Sequence, residues 1–172
     1  MPRIEAQVVV PVPVDVAYAV SQTHGAVRHR WDPFIHEQHF LDGATEPAKG
    51  VRTFTRQRFG PSMTSQYVSY VPPAHVGMTM VEGPWFFAVF GGGWRFTAID
   101  ERSTRAVWRY TFTCRPRLIQ PVAHPVGRWL LGREIRRRIA GYARGCTDEQ
   151  VLAAAYAQIG RIAGREPVDP LD

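Results

Sequence analysis

The sequence predicts an α+β domain in which a curved, seven-stranded antiparallel sheet wraps around one long C-terminal helix. Three observations lead there. First, six strand-like segments follow one another from Phe34 to Arg115, separated only by short connections bearing Gly, Pro or Asp. Parallel strands would need a crossover helix between each pair, so consecutive strands must pair antiparallel. Second, the period becomes helical from Val126 to Arg144. At about 100° per residue, Leu131, Ile135, Ile139 and Tyr142 share one narrow face while Arg133, Arg137 and Arg144 lie opposite. Third, this is the only long, well-periodic helix after the strands, so the sheet must supply the surface that its apolar stripe covers.

The elements follow in order. Ile4 to Val10 alternates polar and apolar residues and ends at Pro11 and Pro13, a first strand. A short helix is predicted from Val14 to about Gln22, because Val16, Ala17 and Val20 recur at helical spacing behind a proline start. His24 to Arg30 is a second short helical turn, and Pro33 then forces an extended conformation on Asp32. The remaining strands are Phe34–Leu41, Val51–Phe59, Met63–Val71, His75–Glu82, Phe87–Ile99 and Thr104–Arg115. Prolines 116, 121 and 125 break any helix starting before Val126, leaving a loose turn at most. Gly145 is a helix stop, and Thr147 with Gln150 forms a capping box for a last helix through about Ile162, whether separate or a kinked continuation. Residues 1–165 make a single domain and 166–172 a frayed tail.

Composition narrows the function classes. A chain of 172 residues with 45% apolar and 21% charged residues is ordinary for one globular core. No apolar run is long enough to span a bilayer, and the N-terminus lacks the pattern of a secretory signal, so a cytoplasmic protein is expected. Cys114 and Cys146 have no metal-like spacing and read as reduced core thiols. The net charge of +6 is concentrated: eight arginines stand against Glu134 alone between Arg115 and Arg144. Nucleic-acid binding through Arg133, Arg136, Arg137 and Arg144 is not expected, since no aromatic interleaving accompanies them; a solvated face or a peripheral contact with anionic lipid remains. His36 and His39 sit an odd number apart on a strand and so face opposite sides, and no metal site or cofactor follows. Gly91-Gly92-Gly93 precedes no helix and reads as a bulge or sharp bend.

Particular residues carry a family resemblance across roughly Arg3 to Arg144. Pro11-x-Pro13 leading into a helix, Trp31-Asp32-Pro33-Phe34 before the second strand, Gly50, Trp94-x-Phe96 and Thr104 to Trp108 together resemble the START/Bet v 1-like superfamily. Within it the chain is most similar to the bacterial polyketide cyclase/dehydrase and lipid-transport-like branch. The resemblance implies a helix-grip fold with an apolar cavity between the concave sheet and the long helix. That branch includes both ring-forming cyclases and non-catalytic carriers, and supplies no universal catalytic motif. The tail beyond Gly145 is longer than the fold needs.

Period two assigns the cavity-facing side chains. They are Trp108, Tyr110 and Phe112 on the last strand, with Trp94 and Phe96 on its neighbour. Val51, Thr53, Thr55, Gln57 and Phe59 belong to the third strand, Met63, Ser65, Tyr67 and Ser69 to the fourth, and Val76, Met78, Met80 and Glu82 to the fifth. From the helix come Leu131, Ile135, Ile139 and Tyr142, flanked by Arg128 and Arg138, which either anchor a ligand carboxylate or snorkel at the rim. From the residues alone a filled core and a cavity both remain open; the resemblance favours the cavity. Glu82 is a candidate proton-transfer group if it lies inside, and a solvated rim residue otherwise. Tyr67 and Tyr110 are candidate hydrogen-bond donors to a carbonyl or enolate, or simply satisfy the backbone. The expected function is binding of a small hydrophobic or aromatic ligand, polyketide-like or lipid. A cyclase/dehydrase-type enzyme using the same cavity is the alternative, and the sequence leaves the oligomeric state open.

Overall fold

The structure, a computed structural model, describes residues 1–58 and 60–163. Seven strands form one antiparallel sheet: β1 (Arg3–Val10), β2 (Ile35–Phe40), β3 (Arg52–Gln57), β4 (Ser62–Val71), β5 (His75–Glu82), β6 (Phe87–Asp100) and β7 (Ser103–Cys114). Their spatial order is β1-β7-β6-β5-β4-β3-β2, a meander closed by β1 returning beside β7. Two short helices, α1 (Val14–Ser21) and α2 (Gly25–Trp31), carry the chain from one sheet edge to the other. Two longer ones follow the sheet, α3 (Gln120–Gly145) and α4 (Glu149–Ala163). This is the expected helix-grip architecture. The expected frayed tail 166–172 and the inward placement of Phe59 lie outside the described residues.

The long helix starts at Gln120, earlier than its prolines were expected to allow. Pro121 lies in the first turn, where a missing N–H costs nothing, and Pro125 forfeits one interior bond. Side chains tie that turn to the sheet: Gln120 Nε2 donates to the Cys114 carbonyl at 2.8 Å, and His124 Nε2 accepts from the Cys114 N–H at 3.4 Å.

α3 ends at Gly145, as expected, but without a left-handed turn. This glycine is the last buried residue of the helix, and Cys146 after it stays right-handed with φ −71°. Its role is close approach, since a Cβ there would sit 2.8 Å from the Trp31 Cβ, and one on Gly141 would overlap the Trp31 carbonyl oxygen. The two glycines let α3 descend onto the end of α2 and bury Trp31 to 2% exposure. α4 is a separate helix packed on α1 and α2. Its N-terminus is held by Asp148, whose Oδ1 accepts from the N–H groups of Gln150 and Val151, and not by the expected Thr147, whose hydroxyl donates back to the Arg144 carbonyl.

Gly91-Gly92-Gly93 carries no bulge; register with β5 and β7 runs unbroken through it. Gly92 pairs with Met78 and Tyr110, and a Cβ there would meet the Tyr110 ring and the Arg109 carbonyl oxygen, both at 2.7 Å. The bulges that bear on the site fall in β4 and β5. Between the Ser65–Met80 and Thr64–Glu82 pairs β5 has one extra residue, Val81; between Tyr67–Met78 and Ser69–Gly77 β4 has one extra, Val68.

Candidate functional site

The concave sheet, α2 and α3 enclose a cavity of about 130 Å³. Of the ligand-facing residues expected from sequence, Thr55, Tyr67, Met78, Met80, Trp94, Trp108, Tyr110 and Arg138 line it. Alternation suffices for these positions because β3 and β7, and the stretches of β4 to β6 that carry them, run without interruption. Trp94 and Trp108 stack with centroids 4.1 Å apart and form one wall.

Seven expected positions lie elsewhere. Phe96 is core, edge-on to Tyr18 at 5.5 Å. Phe112 is fully buried beneath α3 at Gly127, where the missing Cβ makes room for its ring. Ile135, Ile139 and Tyr142 are buried in the core and Leu131 is half-buried against it. The reason is that α3 lies chiefly over β1, so its apolar stripe is consumed by packing. The residues turned to the cavity are Glu134 and Arg138, about 60° and 20° off Leu131 on one flank. Arg128 is on the other flank and exposed. Glu82, the candidate acid, is exposed on the outer face: the extra Val81 inverts the alternation and pairs it with outward-facing Thr64. The Val68 bulge likewise turns Ser69 outward and brings Tyr70 inward, edge-on to Tyr67 and Tyr18.

The polar end of the cavity is built by α2 and α3. Asp32, with no exposed surface, receives Arg28 through Nε (3.1 Å) and Nη2 (2.9 Å) on Oδ2. Arg138 approaches the same carboxylate with Nε on Oδ1 (3.1 Å) and Nη2 on Oδ2 (2.7 Å). Arg138 Nη1 donates to the Tyr110 hydroxyl at 2.7 Å and reaches Glu134 Oε1 at 3.4 Å. Aromatic faces support both guanidiniums, Trp31 under Arg28 at 3.9 Å and Trp108 under Arg138 at 4.4 Å. Arg28 Nη1 donates to the Ser21 carbonyl, which ties α2 to the end of α1.

Burial alone would raise the Asp32 pKa, but Arg138 and Arg28 outweigh it and hold the carboxyl below the usual carboxylate range. Burial works against the Arg138 charge, yet Asp32, Tyr110 and Glu134 keep it firmly protonated. Glu134 goes the other way: burial raises its pKa more than Arg138 lowers it. Burial raises Tyr110 and Tyr67, so both stay neutral donors, and it lowers His24 to about 4, with Arg28 adding to the effect. The Tyr110 oxygen accepts from Arg138, so its own proton is available to a ligand carbonyl or enolate in the cavity. Gln38 and His24 also line the cavity, and the Gln38 side chain works against the drop in the His24 pKa.

Sequence reasoning missed Arg28, Asp32, Glu134, His24 and Gln38 as site residues. A signal was present for three of them: Arg28 with Asp32 and Glu134 with Arg138 are both oppositely charged i,i+4 pairs.

A family model described as polyketide cyclase/dehydrase and lipid transport matches residues 1–145. No curated protein is a significant match by sequence. Among solved structures, a START superfamily protein from Mycobacterium smegmatis superposes with TM-score 0.68 at 12% identity, covering 82% of this chain and 94% of its own. A protein from Thermus thermophilus gives 0.69 at 18% identity, with 89% and 99% covered. The Zhui aromatase/cyclase from a Streptomyces species gives 0.60 at 19% identity, with 96% and 99% covered. At these identities the structural likenesses establish the fold.

Proposed function

The chain belongs to the polyketide cyclase/dehydrase and lipid-transport family, and from that premise we propose that it binds a small hydrophobic or aromatic ligand, polyketide-like or lipid, between the sheet and α3. The observation that carries this reading is a cavity of two characters. Methionines 63, 78 and 80 with Trp94 and Trp108 offer an apolar body site, while Arg138, Tyr110, Glu134 and Gln38 offer a polar head site. A dry cavity of about 150 Å³ holds benzene. At about 130 Å³ this one suits a single ring or the end of an acyl chain. The flexible methionines allow it to widen for a longer ligand. A carbonyl or hydroxyl head group would meet the Tyr110 hydroxyl, oriented by Arg138, which Asp32 in turn holds in place.

A second reading, a cyclase/dehydrase-type enzyme, is favoured by Glu134. Burial raises its pKa, which favours the protonated form more than at an exposed glutamate, and it lines the cavity with Tyr110, where it can exchange a proton with a carbonyl oxygen that the tyrosine holds.

The test begins with native mass spectrometry of the purified protein for a co-purified ligand, followed by titration with an apolar fluorescent probe. Ser65→Phe, which fills the cavity from a lining position, should abolish probe binding in a folded protein. Unchanged affinity would refute the cavity as the binding site. The two readings separate on a synthetic poly-β-ketone: a carrier binds it without ring closure, whereas an enzyme closes the ring and loses that activity in Glu134→Gln.

A further inference from the structure

α3 is apolar on two sides. One side is the buried stripe; the other is fully in water. Val122, Val126 and Trp129 recur along the outer face at helical spacing, with Ile119 just before the helix and Leu130 beside them, and Val122, Trp129 and Leu130 are 71%, 61% and 52% exposed. The sheet extends this surface. Phe87 pairs with Cys114, and the Arg115 N–H donates to the Phe86 carbonyl at 2.8 Å, which sets the β5–β6 turn, with Trp85 77% exposed, beside the segment that leads into α3. Nothing in the core or the cavity uses these side chains. Single exposed apolar residues need no explanation, but a row of them along one helix face does.

The charge of the same segment identifies what complements it. From Arg115 to Arg133 there are four arginines, 115, 117, 128 and 133, and no aspartate or glutamate. Arg136, Arg137 and Arg144 continue the exposed basic surface along the helix. Tryptophan and leucine on an outer helical face with Arg133, Arg136 and Arg137 around them is the composition of an interfacial helix: the apolar side chains enter the acyl boundary and the guanidiniums meet phosphates. We propose that the outer face of α3, with the β5–β6 turn, docks on an anionic lipid surface. The turn also lies against the cavity. A Cβ on Gly83 would come within 2.6 Å of Met80 Sδ and 3.3 Å of Met63 Cγ, both lining residues, so docking sets the methionine end of the cavity toward the lipid. Only this last link, a route for apolar ligands, rests on the ligand-binding reading.

Flotation with phosphatidylcholine vesicles, with and without phosphatidylglycerol, tests the docking. Binding is expected to the phosphatidylglycerol vesicles and at least about tenfold weaker to phosphatidylcholine alone, falling as salt rises. Trp129→Glu with Leu130→Glu should abolish it, and both positions are exposed enough for the fold to survive, as a thermal melt will verify. Arg133→Gln, Arg136→Gln and Arg137→Gln together should weaken it about a hundredfold. The proposal is overturned by no binding at low ionic strength, by equal binding to both vesicles, or by variants that float like the parent. It is equally overturned if sedimentation velocity shows a dimer that Trp129→Glu/Leu130→Glu dissociates, because the face would then bind a second copy. Ser65→Phe should float normally, so failure of the cavity reading and failure of docking are distinct results.

Discussion

Asp32→Asn tests the polar end of the site most directly. The substitution keeps size and shape but removes the single negative charge shared by two buried guanidiniums. In the native protein that carboxylate accepts four hydrogen bonds of 2.7–3.1 Å and has no exposed surface. Four charge-assisted bonds at about 1.5–3 kcal/mol each would sum to about 6–12 kcal/mol. That sum overcounts, because the asparagine oxygen still accepts and the ionised aspartate had its own burial cost. Breaking one partner from a buried ion network costs about 3–5 kcal/mol, and that is the expected loss. With a urea slope of about 2 kcal/mol/M, the midpoint should fall by about 2 M at unchanged slope. Circular dichroism in urea at neutral pH measures it.

The pH dependence supplies a second readout. The Asp32 pKa is lower folded than unfolded, so its stabilisation is present above the unfolded carboxylate value and is lost as pH falls through the folded value. The gap between parent and variant should therefore be widest at neutral pH and narrow in acid. A neutral-pH loss under about 1 kcal/mol, or a gap that does not narrow, would show that water carries these guanidinium charges and that the site is not preorganised as described.

Other predictions follow from single contacts. Glu134→Gln should behave with the opposite sign: the folded pKa of Glu134 is raised, so its contribution is fully present below the unfolded value and lost as pH rises through the folded one. The variant should gain stability relative to the parent as pH rises from the usual glutamate value through the raised folded one, and parallel denaturation curves across that rise would refute the assignment. Gly141→Ala should lower stability by about 1–3 kcal/mol despite better helix propensity, because its Cβ meets the Trp31 carbonyl. Gly160→Ala in α4, with open space around the new methyl, should raise it by up to about 1 kcal/mol in the same thermal melts. Tyr142→Phe deletes the 2.7 Å bond to the Ala17 carbonyl in a fully buried setting and should cost about 1–2 kcal/mol in urea denaturation without altering probe affinity.

The sequence by itself determined the meander, the two short helices before it, the gripped helix and the aromatic face of β7. Each rests on information carried within a few residues: turn residues between strands, period two along Ala106 to Cys114, and a helical stripe in α3. Side-chain alternation is a local property of the backbone, so it reads correctly wherever the strand is regular. It failed at Glu82 because one extra residue, Val81, inverts every direction after it, and a bulge is specified by the partner strand as much as by its own sequence. The stripe of α3 was legible, but what it faced was not: only the tertiary structure puts Leu131, Ile135, Ile139 and Tyr142 into the core and leaves Glu134 and Arg138 for the cavity. The ionic cluster that defines the polar end joins residues 106 positions apart, Asp32 and Arg138. Its two halves are written as ordinary i,i+4 pairs on separate helices, and only the descent of α3 onto α2, permitted by Gly141 and Gly145, brings them to one carboxylate.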